Sequence, residues 1–132
     1  MAVVDMGVQY DHPDLAANMW INEAEMNGTE GVDDDDNGYV DDLYGWNFAP
    51  NYDSGEIVPG YHGTHIAGTI AAVNNNGEGV CGIAGGSGNG DGVRIMTIGW
   101  SADNRQTIPN WDMFAYAADN GAVIASCSWE VS

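Results

Sequence analysis

Basic side chains are almost missing from this sequence of 132 residues. Arg94 and Arg105 are the only two and lysine is absent, against twenty acidic residues, for a formal charge of −18 at pH 7. Nucleic acid and anionic membrane surfaces are therefore excluded as partners, because both need clustered cations to neutralise phosphate. A surface of this sign suits divalent cations instead. Long apolar runs are missing too. No stretch approaches the ~18 consecutive apolar residues of a membrane span, and Ala2-Val3-Val4 is too short for the apolar region of a signal peptide. Cysteine is scarce. Cys81 and Cys127 make no disulfide framework, and their small apolar neighbours predict buried, reduced thiols that behave as small hydrophobes.

What is present suffices for one domain with a core, since 44% of the residues are hydrophobic. Ala2–Asp5 reads as a short buried strand stopped by Gly7, with Met1 running straight into it as if chain were missing upstream. From Asp11 to Glu25 the pattern is mostly irregular, with a helical turn at Pro13–Asn18. Asn27–Asn51 is an aspartate-dense loop whose second half regains β character. A helix is predicted over His62–Val73, where Ile66, Ile70 and Val73 make one apolar face and Asn74-Asn75-Asn76-Gly77 ends it. Val93–Gly99 is a second strand. Pro109 suits the first turn of a further helix, with Met113, Phe114, Ala117 and Ala118 on its apolar face and Asn120-Gly121 closing it. Ala122–Ser128 is a third strand. Strands alternating with helices over these distances predict an α/β fold, a partial doubly wound parallel sheet with flanking helices.

Two features carry chemistry. Asp5 ends a strand, the position at which parallel sheets place functional groups. His62 opens the glycine-studded segment His62-Gly63-Thr64-His65-Ile66-Ala67-Gly68. A carboxylate beside an imidazole fixes the tautomer of the ring and stabilises its protonated form, as a charge-relay site requires. No glutamate follows His62 as a zinc-binding His-Glu-x-x-His motif would need, so a metal pair at His62 and His65 is not expected. The second feature is Asp33-Asp34-Asp35-Asp36-Asn37-Gly38-Tyr39-Val40-Asp41-Asp42. Asp33, Asp35, Asn37 and Gly38 fall at positions one, three, five and six of an EF-hand-type loop, with the Tyr39 carbonyl at seven and Asp41 at nine. Position twelve is Tyr44 rather than glutamate, and no flanking EF helices are evident. Calcium is the expected ion, held by Asp33, Asp35, Asn37, Tyr39 and Asp41.

The stretches Ala2-Val3-Val4-Asp5-Met6-Gly7-Val8 and Asp11-His12-Pro13-Asp14-Leu15 resemble the aspartate motif of the subtilisin-like serine proteases. His62–Ala72 is similar to their histidine motif, in which the first histidine is the base and the second is structural. The resemblance implies a serine-type endopeptidase acting on polypeptide substrates. Asp5 would orient and His62 act as base, while His65 would point into the packed interior. It also implies that Ser126, Ser128 and Trp129 line a substrate pocket, although Glu130 replaces the glycine of that motif. The Asp-rich loop before Gly45–Phe48 resembles an insertion in a bacterial branch of the family, and the turn Val73–Val80 a family calcium loop. The family's nucleophile stands in Gly-Thr-Ser-x-Ala, and none of Ser54, Ser87, Ser101, Ser126, Ser128 or Ser132 has that context. Residues 1–132 are thus expected to be one partial, secreted peptidase domain, ending before its serine and lacking the carboxyl-terminal half that would complete it. The competing expectation is a non-catalytic calcium-binding or structural module with a vestigial protease site.

Overall fold

The computed structural model describes residues 1–50, 52–100 and 110–130. Its centre is a four-stranded parallel sheet in the order β2-β3-β1-β4, made of β1 (Ala2–Asp5), β2 (Gly45–Asn47), β3 (Met96–Gly99) and β4 (Ala125–Ser126). Adjacent residues of a strand face opposite ways, and the core divides accordingly. On one face Ala2, Val4, Met96 and Ile98 pack with Trp46 and with Met113, Tyr116 and Ala117 of α3 (Asp112–Asp119). On the other face Val3 and Ile95 pack with Val8, Leu15, Met19, and Ala67 and Ala71 of α2 (Tyr61–Ala71). The fold is an α/β parallel sheet with flanking helices, covered on both sides as a parallel sheet must be.

Local chemistry accounts for most of the departures from the sequence pattern. The segment expected to be irregular up to Glu25 holds a 3-10 turn at Ala16–Asn18 and a short helix α1 (Glu23–Asn27). Asn22 caps α1, its side-chain oxygen accepting the Ala24 N–H at 3.2 Å. The second and third predicted strands are trimmed to four and two paired residues against β1. On α2 the buried face is Gly63, Ala67 and Ala71, with Ile66 and Ile70 half-buried beside it. On α3 Tyr116 takes the buried place expected of Ala118, which is exposed. Pro109 lies outside the described residues.

Both thiols are exposed rather than buried. Cys127 follows the two paired residues of β4, where neither helix covers the chain, and Cys81 belongs to the surface loop after α2. Arg94 is a backbone staple. Its guanidinium donates to the carbonyls of Ala17 and Gly90 and to Oδ1 of Asn18 at 2.7–2.9 Å.

The small residues on the inner face of α2 let the helix approach β1 closely. A Cβ on Gly63 would lie 2.3 Å from the Gly7 carbonyl oxygen and 3.0 Å from Asp5 Cβ. Gly63→Ala should therefore lower unfolding stability by about 1–3 kcal/mol. Gly68→Ala, where an added Cβ meets nothing within 4 Å, should instead gain about 0.5–1 kcal/mol of helix propensity. Denaturant melts of the two variants read both signs.

Candidate active site

β1 ends at Asp5, whose side chain is 3% exposed and whose Oδ1 accepts the Met6 N–H at 2.8 Å. His62 is the second residue of α2, and its Nδ1 lies 2.9 Å from Oδ2 and 3.0 Å from Oδ1 of Asp5. An ionised carboxylate only accepts, so Nδ1 carries the hydrogen and Nε2 is the basic nitrogen. The His62 side chain is 43% exposed while Asp5 is sealed. The arrangement pairs a buried anion with a reachable imidazole.

The helix start is anchored by Thr64, whose hydroxyl donates to the Gly60 carbonyl at 2.6 Å and accepts the Gln9 N–H at 2.9 Å. The segment after β1 is thereby tied to the turn before α2. His65 does not point into the interior. It is exposed, because positions 63, 67 and 71 face the sheet and position 65 falls on the far side of the helix. There it lines an open cleft of about 850 Å³ with His12, Tyr61, Val80, Cys81 and Ile83.

The acidic loop is folded around its own amides. Asp33 accepts the N–H groups of Asn37 at 3.1 Å and Gly38 at 2.7 Å. Asp36 and Asp41 sit in the left-handed region, at φ 55° and 56°. One carboxylate oxygen each from Glu25, Asp33 and Asp35 fall within 4.8 Å of one another. Asp41 instead turns its carboxylate to the Gly31 N–H, and the Asn37 side-chain oxygen accepts the Tyr39 N–H at 2.8 Å. Of the expected metal set, then, Asp33 and Asp35 come together, joined by a residue the loop pattern did not include. Glu25 belongs to α1 and receives the amides of Asp34 and Asp41 at 2.8 and 3.0 Å. A donor set of carboxylate oxygens alone fits a hard divalent cation.

Asp42, at the end of that loop, is fully buried and accepts from Tyr116 Oη at 2.6 Å, Asn22 Nδ2 at 2.7 Å and Asn37 Nδ2 at 3.0 Å. Burial raises its pKa above the ordinary 3.8, partly opposed by these three donors, and burial likewise drives the Tyr116 hydroxyl far above its usual range. The turn Val73–Val80 wraps a second buried carboxylate. Asp14 accepts from Asn76 Nδ2 at 2.7 Å and the Val80 N–H at 2.8 Å. Neither Glu25 nor Asp14 stood out in sequence as a loop partner: Glu25 lies just outside the acidic run, and Asp14 is more than sixty residues from the turn it organises.

Of the residues expected to line a substrate pocket, Ser126 is half-buried in β4 and Ser128 is exposed. Trp129 is half-buried, with its indole N–H donated to the Val4 carbonyl at 2.8 Å and its ring 5.1 Å from that of Trp100.

The parallel sheet thus places a strand-end aspartate in contact with the ring of a histidine at the start of a helix, 57 positions away in the chain. The sequence profile of the subtilase family matches residues 1–130, and the chain belongs to that family. Subtilisin-like protease 1 of Plasmodium vivax is 51% identical over 86 residues, covering 64% of this chain and 13% of its own length. Halolysin of Haloferax mediterranei is 36% identical over 121 residues, covering 83% and 20% respectively. Thermitase of Thermoactinomyces vulgaris is 33% identical over 132 residues, covering 97% and 36%. The chain thus spans between about an eighth and just over a third of the length of these relatives.

Tyr116→Phe should cost about 1.5–3 kcal/mol, the value of a hydrogen bond to a charged group whose partner stays buried. With the Asp42 pKa raised on folding, the native state binds more protons than the unfolded chain between 3.8 and the folded value. Stability contributed by Asp42 is complete below 3.8 and is lost as pH rises through that window. The difference in Tm between Asp42→Asn and wild type should accordingly move in favour of the variant as pH is raised above 3.8, measured by thermal denaturation in chelator.

Proposed function

We propose that this chain supplies the Asp and His of a serine endopeptidase, with Asp5 as the orienting carboxylate and His62 as general base and then general acid. The 2.9 Å contact between Nδ1 of His62 and Oδ2 of Asp5 carries the reading. In the reaction, Nε2 removes the proton of an attacking serine hydroxyl and later returns it to the leaving amine, while Asp5 stabilises the imidazolium formed between those steps. The substrates are polypeptides, and Ser126, Ser128 and Trp129 are the proposed contacts to them. Secretion or a cell-surface setting follows from the same reading.

The nucleophile and oxyanion donors are proposed to come from chain beyond Ser132. Among the described residues no serine hydroxyl bonds to His62, and Ser87 Oγ instead donates to Asp91 at 3.1 Å. Without an attacking oxygen, a triad of this type loses about 10⁶-fold in kcat. The 132-residue chain alone is expected to leave casein intact. Cleavage that co-purifies with it and is stopped by a serine-directed phosphonate would assign the nucleophile to one of its own serines instead.

Calcium is the proposed cofactor, with Asp33 and Asp35 as ligands alongside Glu25. When bound, the ion supplies positive charge to a loop that has none of its own. Its binding to the folded chain alone should raise stability, by about 2.7 kcal/mol at one hundred times Kd. Thermal melts with calcium and with chelator should differ for wild type and converge for Glu25→Gln combined with Asp33→Asn. Identical wild-type melts, together with no calorimetric uptake at millimolar calcium, would remove the ion from the account.

A further inference from the structure

The strand end that carries Asp5 is held from both sides by tryptophans. The β1–β4 ladder stops where Val3 faces Ser126, and one residue further the Val4 carbonyl accepts the indole N–H of Trp129 at 2.8 Å. On the β3 side, the Asp5 carbonyl accepts the backbone N–H of Trp100 at 3.0 Å. The Val4 carbonyl belongs to the peptide plane entering Asp5, and the Asp5 carbonyl to the plane leaving it. Each plane is rigid, so the two bonds together fix the Asp5 backbone and with it the direction of the Cα–Cβ bond that aims the carboxylate at His62. The Trp129 ring is itself kept in place by Trp100, 5.1 Å away at an interplanar angle of 50°. A side chain has taken over, at the site, the anchoring that a longer β4 would have given through its backbone.

We propose that Trp129 is a positioning residue for the Asp5–His62 pair, acting through its indole N–H on the Val4 carbonyl. The inference rests on the reading of that pair as the catalytic one, and it gives Trp129 a role distinct from contact with substrate. Losing the donor while the ring volume is kept loosens the peptide plane that enters Asp5, so in an isosteric variant the effect belongs to the hydrogen bond rather than to packing.

The test replaces Trp129 in the 132-residue chain by 3-benzothienylalanine, which keeps the shape of the ring and substitutes sulfur for N–H, with Trp129→Phe as a second variant. Proton NMR follows solvent exchange of the His62 Nδ1 hydrogen held by Asp5, with the Ala2 amide, bonded to the Ile124 carbonyl at 2.9 Å, as internal reference. Both variants should speed exchange of the His62 hydrogen roughly threefold to tenfold, the range set by one ordinary hydrogen bond, and leave Ala2 unchanged. Unchanged exchange at His62, or equal acceleration at His62 and Ala2, overturns the inference while leaving the pair intact. Unfolding of the isosteric variant overturns it as well, because the role would then be global. A wild-type chain with no protected His62 Nδ1 hydrogen overturns the pair, and the inference with it.

Discussion

Everything at the site depends on how near the first turn of α2 can come to the end of β1. Asp5 and His62 are 57 positions apart, and their contact at 2.9 Å requires the helix to be seated almost against the strand. The bare Cα of Gly63 makes room for the Gly7 carbonyl, and Gly7 in turn sits at φ 117° with the Val58 carbonyl where a side chain would be. Two glycines thus form a backbone-to-backbone seam between the two motifs. Thr64 locks it by bonding to both the strand exit and the helix entrance. The geometry of the ion pair is set by sterics first, and electrostatics operates within it.

Charge poses the second constraint. With twenty acidic side chains and two basic ones, ion pairing cannot neutralise the chain, so carboxylates are satisfied by dipoles. Glu25 gathers amides of the acidic loop, Asp14 those of the turn after α2, and Asp42 receives a phenol and two carboxamides. Such donors orient carboxylates without cancelling their charge. The Tyr116–Asp42 bond also ties the loop to α3 across the sheet, so the acidic insertion is built into the core on the side opposite α2.

The sequence made the layout of the fold and the pairing of Asp5 with His62 readable, because both reside in short local patterns: a valine-rich strand stopped by glycine, and a helix with small residues near its start. Less visible were features that depend on what lies across the structure. Whether Ala118 or Tyr116 enters the core is decided by the rotation of α3 over the sheet. His65 faces outward because the close seat of α2 selects the 63–67–71 face in place of the bulkier isoleucine stripe. Cys81 and Cys127 have apolar neighbours in sequence yet lie where no second layer covers them. Glu25 and Asp14 act on loops from outside their motifs, Asp14 from more than sixty residues away, which spacing within a motif cannot reveal.

Arg94 illustrates a different outcome of the scarcity of cations. Its guanidinium is committed to two backbone carbonyls and the Asn18 side chain, and the Ile95 N–H just beyond it is bonded to the Asn18 carbonyl at 2.8 Å. Enzymes of tryptic specificity cut after lysine or arginine, and this chain offers them two positions in 132 residues. At Arg94 the side chain they must grip and the peptide they must extend are both already engaged. At that position the clasp that holds two loops together also withholds the chain from an enzyme of that class.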